Sequence, residues 1–214
     1  MSSTSQVERK DAPHRSRIYS DLSGIYDHIF TRVFARRIEA VIGGLDLPPG
    51  TEILEVGVGT GLSLDAYRAD TKVLAIDLSD DMLAHAERKR VEAGYDHIEL
   101  RQMDALNLEF EDNSFDVVGG FHIITVVPDP HRLLAEMVRV CRPGGRVVII
   151  NHFSSERTLI RMLVNLIDPI TRLLGWSTRL ELSEVLEGSG LTLDRRYKTS
   201  PFSLFTIVEA RKKA

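Results

Sequence analysis

Glu55-Val56-Gly57-Val58-Gly59-Thr60-Gly61 sets three glycines into five residues directly behind a short apolar run. Glycine takes backbone conformations closed to other residues and lets a ligand come against the main chain. This spacing therefore suits a loop that wraps a small molecule. Asp77 follows about twenty residues beyond the loop, where a carboxylate can grip the two hydroxyls of a ribose. Asp104-Ala105, Phe121-His122 and Asn151 each close a later apolar run. In an open α/β sheet, ligands bind beyond the carboxyl ends of the strands, near the point where strand order reverses. The residues able to do chemistry fall at those ends.

The elements that position them follow from periodicity. Short apolar runs predict strands over Thr51–Val56, Lys72–Ile76, Ile98–Gln102, Phe115–Phe121 and Arg146–Asn151. Helices are predicted over Leu62–Arg68, over Asp80–Ala93 behind the N-cap Ser79, and over His131–Val140, stopped by Arg142-Pro143-Gly144-Gly145. Strands alternating with helices argue for a parallel sheet covered on both faces. Ahead of them, Ile18, Leu22, Ile25, Ile29, Val33, Ile38 and Ile42 recur at helical spacing, with Gly24 as a possible break. In the tail, Glu181–Glu187 reads as helix. Leu191–Tyr197 and Phe202–Arg211 read as a hairpin around Thr199-Ser200-Pro201, so one of the two runs antiparallel to its neighbour. The expected fold is α/β, a doubly wound, mostly parallel seven-stranded sheet with an antiparallel last strand. The expected organisation is a disordered head at 1–16 and one domain at 17–214. That domain includes amphipathic helices at 17–44 and an apolar insert at 155–178.

Composition bounds the function. The 214 residues suit one domain with a real core. A net charge of −4 gives no basic field of the kind that draws nucleic acid, so no nucleic-acid partner is expected. The single cysteine, Cys141, excludes an internal disulfide and a multi-cysteine metal site, and no metal is expected. Residues Ser2 to Asp11 are polar, unlike a signal peptide, and no apolar run approaches the roughly 20 residues that span a bilayer. An intracellular, cytoplasmic protein is expected, as a monomer or weak oligomer.

The ordered set of glycine loop, Asp77 and Asp104 resembles the class I S-adenosylmethionine-dependent methyltransferases over roughly Thr51 to Asn151. That family also ends its sheet with an antiparallel strand. The resemblance implies S-adenosylmethionine as cofactor. Gly57, Gly59, Thr60 and Gly61 would wrap its methionine and ribose, and Asp77 would hold the ribose hydroxyls. Leu78 and Met82 would flank adenine, and Asp104 would accept from its amino group beside the Ala105 amide. Tyr26, Glu55 and Phe121 complete the implied cofactor contacts. A dinucleotide oxidoreductase is the first rival. Its G-x-G-x-x-G fingerprint is missed because Gly61 falls one place early, and Glu55 would sit badly beside a pyrophosphate. A non-catalytic binding module is the second.

Gly119-Gly120-Phe121-His122-Ile123 stands where base-methylating relatives commonly carry Asn/Asp-Pro-Pro-aromatic, which leaves small molecules and lipids as substrates. The chain is similar to bacterial phospholipid N-methyltransferases at Ile25-Tyr26-Asp27, at Ile53–Gly61 and at Asp77-Leu78-Ser79. It is also similar at Val126-Val127-Pro128-Asp129-Pro130 and Asn151-His152-Phe153. The resemblance implies stepwise methylation of phosphatidylethanolamine, with quinone C-methylation as the alternative. Two segments argue for lipid independently. The head helix pairs Phe30 and Phe34 with Arg15, Arg17, Arg32, Arg36 and Arg37, and Leu159–Trp176 is strongly apolar, with Arg157, Arg161 and Arg172. An apolar face flanked by cations is how a helix lies in a membrane interface. An anionic membrane surface, at the inner face, is thus an expected partner. The competing reading packs both stripes on the sheet or on a second chain. For the reaction, His122, Tyr19 and Tyr26 are candidates to accept a proton or face the cations. Asn151 is a candidate to orient the head group, and Arg179, Arg195 or Lys198 to meet the lipid phosphate.

Overall fold

The computed structural model describes residues 34–151, 186–199, 203 and 205–214. The head at 1–16, Tyr19, Tyr26, the amphipathic segment before residue 34, the insert at 155–178 and Arg179 lie outside the described residues.

Seven strands form one sheet: β1 (Glu52–Val56), β2 (Lys72–Asp77), β3 (Ile98–Gln102), β4 (Phe115–Phe121), β5 (Cys141–Asn151), β6 (Leu191–Tyr197) and β7 (Thr206–Lys212). Their order is β3-β2-β1-β4-β5-β7-β6. Strands β1 to β5 pair in parallel, and β7 pairs antiparallel with both β5 and β6. The chain winds outward from β1 to β3, then returns to the other side of β1 with β4. Strand order therefore reverses between β1 and β4, where α/β sheets bind ligands.

Both sheet faces are covered, which is why the inner strands read as unbroken apolar runs. One face carries Leu54, Val56, Val118 and Ile149 against Leu133, Leu134, Met137 and Val140 of α3 (Pro130–Val140). The other carries Ile53, Ala75, Val148 and Ile150 against Ile38, Val41 and Ile42 of α1, described over residues 34–43, with Ala86 of α2 (Asp80–Ala93). Caps fix the helix entries. Ser79 accepts from the Met82 amide, and Asp129 accepts from the Arg132 amide ahead of Pro130.

Three expectations are corrected. Leu62–Arg68 contains only one turn of 3-10 helix, Leu64–Ala66, and Tyr67 is already extended. The side chains of Ser63 and Tyr67 reach back to Glu55 instead of lying along a helix surface, and that pull ends the helix. Strand β5 starts at Cys141, because Cys141 opposes Phe115 while Arg146 opposes Val117. The Pro-Gly-Gly turn is thus held as a bulge within the strand. The stripe of α1 from Ile38 to Ile42 is buried in the core, so this part of the head helix has no apolar face left for a membrane.

Candidate active site

The glycine loop leaves β1 at the reversal point and is tied to β2 from below. The Gly57 and Val58 amides both donate to the Ile76 carbonyl, at 2.8 and 3.0 Å. Gly57 has φ 75°, and a Cβ there would lie 2.5 Å from Ile123 Cδ1, so only glycine lets the loop after β4 close against it. Gly59 has φ 56°, and a Cβ there would meet nothing within 4 Å. Gly57 is thus constrained by the protein, whereas Gly59 borders open space, as a ligand cradle requires. Lys89 of α2 braces the far end, donating to the Gly61 carbonyl at 2.9 Å and pairing with Asp65 at 3.0 Å. Sequence reasoning missed Lys89, which stands in an ordinary run of basic helix residues.

Asp77 closes the cradle. One carboxylate oxygen accepts from the Gly59 amide at 2.8 Å and the other from the Ser79 amide at 2.9 Å. A carboxylate offers about four acceptor sites, so two remain for incoming hydroxyls. Leu78, the next residue, is 67% exposed, an unusual state for leucine and one suited to covering a flat ring. Met82, half-buried, lies one helical turn on. Asp104 is exposed. Its Oδ1 accepts from the Leu106 amide at 2.9 Å, shaping the loop after β3, while Ala105 is buried behind it.

Glu55 does not reach the cradle. The residue is 1% exposed, with its side chain on the α1 face of the sheet. There the Ser63 hydroxyl lies 2.8 and 2.7 Å from its two oxygens, and the Tyr67 hydroxyl donates at 2.7 Å. Burial raises it to about 7, against the lowering pull of those two hydroxyls, and the charge of Asp77 adds to the rise. Its expected role as a cofactor contact gives way to support of the loop from beneath. Ser63 and Tyr67, which sequence reasoning missed, are the other members of that support.

On the β4–β5 side, Phe121 is buried in the α1 face. His122 takes φ 63°, uncommon outside glycine, and is pinned by its amide to the Ile150 carbonyl at 2.7 Å. Its ring stands edge-on to Phe34 and Phe205, at 4.8 and 4.7 Å. Burial, and secondarily the Arg37 charge, push it down to about 4, so the imidazole is neutral at physiological pH. So weak a base does not fit the expected role of taking a proton from an ammonium. Asn151, buried at the end of β5, donates from its side chain to Thr125 Oγ1 at 3.0 Å. Arg37, expected at the surface, is half-buried over Phe205 and Phe34, with its guanidinium carbon 4.7 and 5.7 Å from the ring centres.

The remaining basic candidates stand apart. Arg195, midway along edge strand β6, lies over Tyr197 at 4.7 Å and 3.8 Å from Glu209, which occupies it away from the loop. Lys198 is exposed just beyond the end of β6, with three strands between β6 and β1. Among the described residues no group of three or more His, Cys, Asp or Glu side chains is arranged to hold a metal.

Comparison with known proteins decides the family. A model described as a methyltransferase domain matches residues 54–149. The chain is 38% identical over 193 residues to a phosphatidylethanolamine N-methyltransferase of Cereibacter sphaeroides, covering 88% of this chain and 93% of that protein. The chain belongs to the class I S-adenosylmethionine-dependent methyltransferases. This methyltransferase is also 32% identical over 163 residues to a demethylmenaquinone methyltransferase of Anoxybacillus flavithermus, covering 72% and 67% of the two chains. Its fold matches the crystal structure of an S-adenosylmethionine-dependent methyltransferase from Aquifex aeolicus. The TM-score there is 0.67, with 20% identity over 90% of this chain and 97% of that one. The methyltransferase therefore uses S-adenosylmethionine, and the dinucleotide oxidoreductase reading falls.

Proposed function

We propose that this methyltransferase methylates the amino group of phosphatidylethanolamine, stepwise toward phosphatidylcholine. One observation carries the reading. The methyltransferase-domain match ends at residue 149, whereas the 38% identity to the Cereibacter enzyme extends over 88% of the chain. A cofactor lobe is shared among many substrates, so agreement beyond it bears on the substrate.

In this reading Gly57, Gly59, Thr60 and Gly61 hold the methionine and ribose, and Asp77 takes the ribose hydroxyls. Leu78 and Met82 flank adenine, Asp104 and the Ala105 amide meet its edge, and buried Phe121 backs the site. Bound S-adenosylmethionine supplies an electrophilic methyl on a sulfonium and leaves as a neutral thioether. The protein therefore has mainly to align the amine and exclude water. The amine attacks only when unprotonated. Desolvation against Ile123, where the loop after β4 closes on the glycine loop, favours that neutral form. Asn151 orients the head group, with Tyr19 and Tyr26 of the head segment as ring or phenol partners.

We infer further that the enzyme works at an anionic membrane surface. Among the described residues no helix is long and apolar enough to cross a membrane. Exposed Arg36 supports surface docking, and the apolar contact falls to Leu159–Trp176 and the earlier head residues. Quinone C-methylation is the second reading, favoured by the identity to the Anoxybacillus enzyme. Incubation with methyl-labelled cofactor and separate lipid, quinone and nucleic-acid pools tests the choice. Label is expected in lipid, and label confined to quinone would replace this reading with the second.

A further inference from the structure

Arg37 carries an unmet need. Its Nε donates to Thr199 Oγ1 at 3.4 Å, a long bond, and its Nη1 is buried with no hydrogen-bond partner among the described residues. Among the described residues no carboxylate pairs with it. Two aromatic faces at 4.7 and 5.7 Å offset part of the cost of burying the charge, but they leave the Nη1 donors unsatisfied. Buried charges are normally paired, and an unmade charge-assisted hydrogen bond is among the dearer omissions in a protein.

A second orphan lies beside it. His122 Nε2 is also buried without a partner among the described residues. The two side chains contact the same pair of rings, Phe34 and Phe205, so both nitrogens belong to one aromatic-walled space. Held neutral, His122 can turn an N–H donor into that space through the appropriate tautomer. A guanidinium fork, an imidazole N–H and a hydroxyl suit the oxygens of a phosphate group better than a single neutral carbonyl.

The place is right for a substrate anion. His122 adjoins Ile123, and Ile123 closes on Gly57 of the cofactor loop. In an ethanolamine phosphodiester two carbons separate the amine from the ester oxygen. When the amine sits at the loop, the phosphate must lie beside it and not on it. We propose that Arg37, assisted by His122 and the Thr199 hydroxyl, forms the site that receives the phosphodiester of the substrate. The assignment rests on the phospholipid reading above and deepens it. It also replaces Arg195 and moves Arg37 from membrane contact to substrate contact.

The test uses the full chain and a soluble probe, glycerophosphoethanolamine, with inorganic phosphate as the competing source. In histidine-labelled protein the His122 imidazole signals, identified by their loss in His122→Asn, are expected to shift on adding the probe. Arg37→Gln should remove that shift. It should also raise KM for phosphatidylethanolamine in mixed micelles about 10- to 100-fold, the scale of one lost charge-assisted contact. S-adenosylhomocysteine affinity should stay unchanged, which certifies a folded cofactor site. If Arg37→Gln fails to fold, Arg37→Lys serves, with a smaller rise in KM at retained cofactor affinity. Turnover of phosphatidylethanolamine by wild type, with KM and probe affinity unaltered in the variant, overturns the Arg37 site alone. No turnover of any phospholipid by wild type overturns the underlying reading as well. Tighter binding of inorganic phosphate than of glycerophosphoethanolamine overturns the head group as the source of the anion.

Discussion

Replacing Glu55 by glutamine tests how the glycine loop is supported. Glutamine keeps the shape and can accept from the Ser63 and Tyr67 hydroxyls, but it cannot ionise. In the folded wild type the carboxyl group titrates at about 7, against the 4.5 of an ordinary glutamate, chiefly because it is buried. The sign follows directly. Between those two values the folded state holds a proton that the unfolded state has released, so stability falls as pH rises. The loss saturates above about pH 7. At about 1.4 kcal/mol per pH unit, the interval is worth on the order of 3 kcal/mol. Glu55→Gln should therefore be close to wild type in stability near pH 4.5, and more stable than wild type by roughly that amount at pH 8. Urea unfolding of both proteins from pH 4.5 to 8.5, followed by circular dichroism, measures the difference. Parallel curves across that range would refute a buried carboxyl group that resists ionisation.

Further outcomes concern the cradle and the surface. Asp77→Ala should weaken S-adenosylmethionine binding by on the order of 2 kcal/mol, about 30-fold in Kd, and calorimetry showing unchanged affinity would remove it from the ribose. The two glycines should separate. Gly57→Ala, driven into Ile123, should cost roughly 1–3 kcal/mol of stability, whereas Gly59→Val should fold with about 1–2 kcal/mol of backbone strain and lose cofactor binding. Thermal melts of equal size, or a Gly59→Val variant that still binds, would contradict this. Vesicle sedimentation should recover more protein as anionic lipid increases, with release by salt. Reversing Arg15, Arg17 and Arg36 should lower recovery by about 1 kcal/mol per charge, and equal pelleting of wild type and variant would defeat the electrostatic part.

The sheet was readable because strands buried on both faces leave unbroken apolar runs, and the glycine loop because its backbone demands are local. Ser79, as an N-cap, likewise signals within four residues. What escaped reading depends on distant partners. Ser63 and Tyr67 look like helix-surface residues until Glu55, eight and twelve positions away, draws them inward. The clue was available, since Glu55 shares a face with Ile53 on a strand buried on both sides. Arg37 looked like one more cation on an amphipathic stripe. Its contact with Thr199 spans 162 residues and depends on β7 returning beside β5. His122 read as a proton acceptor from its type and place, but the rings of Phe34 and Phe205 that bury it come from opposite ends of the chain.

The most direct test of substrate and reaction together is a time course with purified protein, S-adenosylmethionine and phosphatidylethanolamine in mixed micelles, read by mass spectrometry of the lipids. Successive appearance of mono-, di- and trimethylated head groups is predicted, with one S-adenosylhomocysteine formed per methyl. Failure to methylate the lipid, under conditions where demethylmenaquinol is converted by the same preparation, would contradict the account.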